Sequence, residues 1–343
     1  MPISGQSCRA FVSGCAGLTL TTEELRFFER STPWGLILFK RNISEASQIK
    51  DLISDFRDIV GRSDAPILID QEGGRVQRLG PPHWRRYPAA QRYLEAVCGN
   101  VDAARSLARL GGRLMAHDLA LLGITIDCAP VLDLAFEGRT DAIGDRTFAK
   151  DPHTVAILGR AFAEGLMAGG VLPAIKHLPG HGRATIDSHK ALPRVDVALA
   201  ELMTTDFDPF RRLADLPIAM TAHILFPAID PYAPATQSPK VVRDIIRGEI
   251  GFDGLLLSDD LSMEALQGDF QARTAAIFAA GCDIALHCNG SLAEVEAVAA
   301  ASPILAGRAL ERAERALSML KRRPEPFDPV DAGAKLDAVL ALA

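Results

Sequence analysis

Short apolar stretches rich in β-branched residues recur along the chain at Ala10–Ser13, Trp34–Phe39, Pro66–Asp70, Gly123–Asp127, Leu172–His177, Pro217–His223, Gly254–Asp259 and Asp283–His287. They lack clean polar alternation, which is the pattern of strands in a parallel sheet covered on both faces. Between them, segments such as Glu45–Val60, Val101–Leu122, Pro152–Ala168, Pro239–Gly248 and Leu292–Ala300 read as helices. Eight strands alternating with helices predict an α/β protein, a single (β/α)8 TIM barrel. After Pro303 an amphipathic segment, Ile304–Arg322, predicts one more helix, followed by a proline-rich break at Pro324–Pro329 and a short apolar terminus. This tail is expected to pack on the outside of the barrel. No internal repeat, low-complexity segment or linker marks a second domain, so residues 1–343 read as one catalytic domain with a helical tail.

Many of the apolar runs end in a polar or charged residue: Lys40 and Arg41, Asp70, Asp127, Lys176 and His177, His223, Asp259 and Asp260, and His287. In such a barrel the carboxyl ends of the strands and the loops beyond them form the active face, so these ends are expected to converge there. Lys40 or Arg41 alone would mark only where a strand leaves the core.

Composition narrows the possible partners. The 343 residues are 48% hydrophobic and 23% charged, as in ordinary globular proteins. With 37 basic and 43 acidic residues the net charge is -6, which offers no footprint for nucleic acid. The six cysteines are scattered without a CxxC pair, which fits a reduced compartment. Val12-Ser13-Gly14-Cys15 has the form of a lipoprotein cleavage box, but no apolar signal core precedes it, and it reads as chance. No run approaches the roughly 18 apolar residues of a membrane span. The expectation is a cytoplasmic monomer with no membrane or nucleic-acid partner and a small-molecule substrate.

Four segments concentrate chemistry. Lys176–His189 carries three histidines, a lysine and an aspartate, and Pro179, Gly180 and Gly182 argue for a strand end running into a mobile loop. Asp187 and His189 are two apart, a spacing that in extended backbone lets the carboxylate hold the imidazole as an acid/base near neutral pH. His181 alone reads as a locally bonded loop residue. His177, His181, Asp187 and His189 are also possible metal ligands, so a metal-dependent barrel hydrolase is the rival reading. In Gly254–Met263 an apolar strand delivers Asp259 and Asp260. Asp259 is the better catalytic candidate, whereas Asp260 or Ser262 suits the N-cap of a helix starting near Met263. Ile67–Arg78 places Asp70 at a strand end with Arg78 beyond a Gly73-Gly74 pair, a combination suited to hydroxyl recognition. Ile143–Phe148 is a loop presenting Arg146.

Together these segments resemble glycoside hydrolase family 3, in particular its short β-N-acetylhexosaminidases of peptidoglycan recycling. The likeness rests on Lys-His-Leu-Pro-Gly-His-Gly followed by Asp-Ser-His within Lys176–His189, and on Ser258–Met263, Asp70–Val76 and Gly144–Phe148, and it covers about residues 10–300. Leu178 stands where the family usually has Phe. The resemblance implies Asp259 as nucleophile, His189 as acid/base, Asp187 as its partner, and Asp70, Arg78, Arg146, Lys176 and His177 as sugar-binding residues. It also implies a retaining mechanism on terminal N-acetylglucosamine with no cofactor or metal, muropeptides of the GlcNAc-1,6-anhydroMurNAc type or chitin fragments being the substrates. A phosphorylase acting at the same site is the alternative, because an imidazole in place of a second carboxylate adds no negative charge.

Overall fold

The computed structural model describes residues 7–136, 142–321 and 324–341. Eight strands close into a barrel: β1 (Arg9–Ser13), β2 (Pro33–Leu38), β3 (Ile67–Ile69), β4 (Ile126–Asp127), β5 (Leu172–Leu178), β6 (Ile218–Thr221), β7 (Leu255–Asp260) and β8 (Ile284–His287). Each pairs in parallel with its neighbours in sequence, and β8 returns to β1. Helical segments fill every crossover, so the fold is the expected (β/α)8 barrel.

Local sequence explains several boundaries. Thr21 and Glu24 form a capping box at the helix Thr22–Ser31, and Asp151 caps Pro152–Ala168, which starts on a proline. Gly123, expected to open β4, instead ends the helix Val101–Leu122 in left-handed backbone at φ +87°, and the strand starts only at Ile126. The segment expected at Pro239–Gly248 is a π-wound helix, Val241–Glu249.

Two apolar layers result. Val12, Leu68, Ile126, Ala174, Met220, Leu257 and Leu286 belong to the cluster filling the barrel interior. Phe11, Ile67, Ile69, Ile175, Ala219, Leu256 and Ala285 face outward into the helical shell. This two-residue alternation follows from strand geometry and decides which strand-end residues reach the barrel axis.

The tail packs on the outside, as expected, in its last helix, Pro329–Ala341, whose Ala332 and Leu336 join the outer apolar layer beside Val101–Leu122, but its first part does not. Pro303 and Leu305 hydrogen-bond to Ala10 and Cys8 at the start of β1, and Ala313, Ala316 and Leu317 join the interior cluster. The helix Gly307–Ser318 therefore covers the amino-terminal mouth of the barrel, while Arg312 is anchored on Asp253 and Asp283. The pattern had carried this helix to Arg322, which lies outside the described residues. Among the described residues no helix is long and apolar enough to cross a membrane.

Candidate active site

Strand phase selects the residues at the open mouth. In β7, Leu255 and Leu257 face the interior, so Asp259 does too; Leu68 of β3 brings Asp70 inward, and Leu172 and Ala174 of β5 bring Lys176. Asp127 and His287 each follow an inward residue and point away from the cavity, whereas His177, which follows Lys176, reaches it all the same. Asp127 accepts from the Gln71 amide at 2.9 Å, and burial pushes its carboxyl well above the usual range. His287 bonds Glu294 at 3.1 Å, and His223 bonds the Asp260 carbonyl at 2.9 Å. The expected convergence of all the polar strand ends is therefore corrected: Asp127, His223, His287, Lys40 and Arg41 do not line the central cavity.

That cavity, of about 490 Å³, is lined by all eight residues singled out in the sequence: Asp70, Arg78, Arg146, Lys176, His177, Asp187, His189 and Asp259. Its floor is an ion-pair chain. The Lys176 ammonium lies 2.7 Å from both Asp70 and Glu72, Arg78 donates to the other Asp70 oxygen at 2.9 Å, and Arg146 grips Glu72 with two bonds of 2.8 Å. Burial opposes the charged forms, but the two cations hold the Asp70 carboxyl far below its ordinary value, and Arg146 and Lys176 do the same for Glu72. Burial likewise opposes the Lys176 charge, and the two carboxylates outweigh it. Three cations and two anions leave one net positive charge. Glu72 takes the Arg146 Nε and Nη2 donors, and the Ala142 carbonyl takes Nη1. Most of the donating capacity thus fixes the frame, and what remains faces a ligand in a set orientation.

Glu72 had not been singled out, although its two-residue step from Asp70 is the signal that both share a side. Replacing Glu72 by Ala leaves Lys176 and Arg146 short of a buried counter-charge and is expected to cost about 3–5 kcal/mol. Urea unfolding at neutral pH measures the loss; a midpoint equal to wild type removes the chain from the stability of the fold. Because both carboxyl pKa values are depressed in the folded state, this stabilisation is complete above the unfolded values near pH 4. It is lost as pH falls through the folded values.

Asp133 is a second residue the sequence did not flag. Fully buried beyond the short strand β4, it accepts from His177 Nδ1 at 2.7 Å and from the His181 amide at 2.6 Å. Burial pushes the His177 imidazole down to about 3, so the ring is neutral at physiological pH. With a carboxylate on Nδ1, that nitrogen carries the proton and Nε2 is the acceptor.

Asp259 accepts at 2.8 Å from the Asp260 amide through one oxygen, and among the described residues nothing else bonds to its carboxylate. Asp260 spends its oxygens on the Ser262 amide and hydroxyl at 3.0 and 2.6 Å and on the Cys288 amide at 3.1 Å. The helix expected near Met263 begins instead at Phe270, capped by Asp269, so Asp260 caps a turn. The expected helix cap at Asp260 is thus corrected to a turn cap, and Asp259 is the less engaged of the two carboxylates.

The His-rich loop also differs in its mechanics. A Cβ at Gly182 would sit 2.1 Å from the Leu134 carbonyl, and one at Gly180, at φ +151°, would meet Asp206 at 2.9 Å. These glycines are close-packed rather than free hinges, and Arg183 pins the segment to Asp206 and Glu201 at 2.7 Å each. His181 is buried and bonds within its loop, its Nε2 lying 3.4 Å from the Ser188 hydroxyl. Solvent is reached at Thr185–Ile186 and His189–Lys190. Asp187 opens a turn rather than an extended stretch: its Oδ1 accepts from the His189 amide at 3.0 Å and Nδ1 at 2.9 Å. Partial burial pulls the Asp187 carboxyl up, but these bonds hold it below its ordinary value. The His189 side chain is 67% exposed. Among the described residues no group of three or more His, Cys, Asp and Glu is placed to hold a metal ion.

Residues 27–318 match the Glycosyl hydrolase family 3 N terminal domain. The Beta-hexosaminidase of Pseudomonas aeruginosa (strain UCBPP-PA14) is 41% identical over 287 residues, 83% of each chain. NagZ from Neisseria gonorrhoeae in complex with N-trifluoroacetyl-D-glucosamine has a similar structure: 31% identity, TM-score 0.85, covering 100% of this chain and 99% of that one. The same Neisseria protein in complex with zinc ion is 30% identical with TM-score 0.82, covering 100% of this chain and 98% of that one.

Proposed function

We propose that this chain, which belongs to glycoside hydrolase family 3 and is a β-N-acetylhexosaminidase of that family, is a retaining exo-enzyme releasing terminal N-acetylglucosamine from peptidoglycan-derived muropeptides. In this reading it works as a monomer in the cytoplasm, in cell-wall recycling, with the barrel and its helical tail acting as one catalytic domain. The observation that carries the reading is that Asp259 and the Asp187–His189 pair open on the same cavity as the Asp70–Lys176–Glu72 ion-pair chain.

Asp70, Arg78, Arg146, Lys176 and His177 hold the non-reducing sugar. The Asp259 carboxylate attacks the anomeric carbon through an oxocarbenium-like transition state, and the glycosidic C–O bond breaks as His189 gives its proton to the leaving oxygen. Asp187, which accepts from the His189 amide and Nδ1, orients the imidazole. Water, deprotonated by the now neutral imidazole, attacks the glycosyl ester, restoring both groups and the original anomeric configuration. Since His189 is largely exposed, its approach to the leaving oxygen requires the Thr185–Lys190 tip to fold over the bound sugar.

The Asp187–His189 pair also favours one alternative acceptor. An imidazole adds no second negative charge beside the glycosyl-enzyme, so phosphate can take the place of water and yield the sugar 1-phosphate. One experiment separates the readings: turnover of an aryl N-acetylglucosaminide and an aryl glucoside, each with and without phosphate, before and after exhaustive chelation. The expected result is cleavage of the acetamido sugar, free N-acetylglucosamine in either buffer, and a rate unchanged by chelation. Sugar 1-phosphate as the main product would establish the phosphorylase. Activity lost to chelator and regained with Zn²⁺ would establish the metal hydrolase, the chemistry to which the zinc-bound Neisseria structure draws attention.

A further inference from the structure

Asp133 lies in irregular backbone that is itself held in place. Lys176 bonds this stretch from both ends of its residue, donating to the Pro130 carbonyl at 3.2 Å and accepting from the Leu132 amide at 2.8 Å. One residue beyond Asp133, the Leu134 carbonyl packs against Gly182. The Asp133 side chain is thereby wedged between the end of β5 and the loop that follows it, out of reach of solvent. Each oxygen has its own partner: Oδ2 takes the His177 ring at Nδ1, 2.7 Å away, and Oδ1 takes the His181 amide at 2.6 Å.

The proton between Asp133 and His177 decides what the ring offers a ligand. Held on Nδ1, it leaves Nε2 an acceptor; held on the carboxyl, it would make Nδ1 the acceptor and put the ring hydrogen on Nε2. Burial raises the Asp133 carboxyl, but the His181 amide already donates to its other oxygen and favours the carboxylate form. His177 lines the sugar cavity, and among the described residues nothing bonds to its Nε2. Around it Lys176, Arg78 and Arg146 can only donate, and the Asp70 and Glu72 carboxylates are engaged with those three cations. An uncharged acceptor on this floor meets a need that the ion-pair chain does not.

We infer that Asp133 is a positioning residue for the substrate: by keeping the proton on His177 Nδ1 it makes Nε2 the acceptor for one O–H or N–H of the bound sugar, while its other oxygen pins the loop that carries Asp187 and His189. The inference rests on the reading of the cavity as a sugar site. An Asp133→Asn substitution separates the two duties. The His181 amide can only donate, so the new carbonyl oxygen stays with it and the new amide group turns to His177. The ring can meet that donor at Nδ1 only by moving its own hydrogen to Nε2. The loop anchor survives, and the face offered to the sugar is inverted.

The test uses the full chain with nitrogen-15 in its histidine rings. The His177 nitrogens, identified by their absence from a His177→Gln chain, are read by NMR at neutral pH. Wild type is expected to carry the hydrogen on Nδ1 and none on Nε2, and Asp133→Asn the reverse. The variant should cleave an aryl N-acetylglucosaminide with kcat/KM lower by about 10–100-fold, the scale of a buried hydrogen bond turned against its partner. The monodeoxy sugars, and the sugar with an acetate ester in place of the acetamide, each lack one donor. On the one that lacks the donor His177 accepts, the two chains should have similar kcat/KM. A wild-type ring with its hydrogen on Nε2 overturns the inference whether or not the variant folds. So does a folded variant whose tautomer is unchanged, or whose loss is the same on every sugar. The expected tautomers in a chain that leaves all the aryl sugars intact uphold the Asp133–His177 proton placement and contradict the hydrolase reading instead, so the two failures are distinct.

Discussion

Replacing Asp259 by Ala is expected to lower kcat on every β-N-acetylglucosaminide by at least about 10⁴-fold, the scale of loss when a covalent nucleophile is removed from a preorganised site. The sequence places a carboxylate two residues beyond Leu257, the strand phase turns it to the axis, and its only bond among the described residues is from the Asp260 amide. The ion-pair chain does not depend on it, so the folded site should survive the substitution and still bind N-acetylglucosamine. Azide, small enough to occupy the vacated space, should restore part of the turnover on a substrate with a good leaving group and give the α-glycosyl azide. The corresponding Asp260→Ala change removes a turn cap bonded to Ser262 and Cys288, and should reduce stability more than chemistry. Steady-state kinetics of the two variants with and without azide decide the matter; the larger kcat loss in Asp260→Ala would reverse the assignment.

His189→Ala carries the second large effect, and its size should depend on the leaving group. General acid assistance is worth about 10²–10⁴-fold where the departing oxygen is basic. A natural disaccharide should therefore lose activity on that scale, while a dinitrophenyl glycoside, whose leaving group departs unprotonated, should lose far less in its first step. Asp187→Ala should show the same ordering with smaller losses, because the imidazole stays but loses the carboxylate that accepts from its Nδ1 at 2.9 Å. Measuring kcat/KM across a series of aryl leaving groups yields a steeper dependence on leaving-group pKa in both variants than in wild type. Equal losses on all substrates would remove His189 from the acid role.

The barrel was legible because its signal is redundant. Eight apolar runs separated by helical lengths leave few ways to cover both faces of a parallel sheet, and an error at one run, such as Gly123 ending a helix, does not alter the closure. The site was legible where chemistry sits on a regular strand in phase with the interior, as Asp70, Lys176 and Asp259 do. Asp127 and His287 look identical in composition to those three, and only a count from the preceding inward residue, Ile126 or Leu286, shows that they point away. Asp133 was invisible for a different reason: it lies in irregular backbone beyond a two-residue strand, where no periodicity says which way a side chain faces. In the loop, Gly180 and Gly182 suggested freedom, yet the absent Cβ atoms serve close packing against Asp206 and Leu134. Glycine in a sequence marks a conformational or steric need without saying which.

The central claim, covalent catalysis by Asp259, is tested most directly by trapping. The full chain is incubated with 5-fluoro-N-acetylglucosaminyl fluoride, whose electron-withdrawing fluorine slows breakdown of the glycosyl ester, and the intact mass and peptide map are then read by mass spectrometry. The account predicts one added sugar per chain, located on Asp259, with activity recovering as the ester hydrolyses. An adduct on Asp260, or continued turnover with no adduct on any carboxylate, would contradict it.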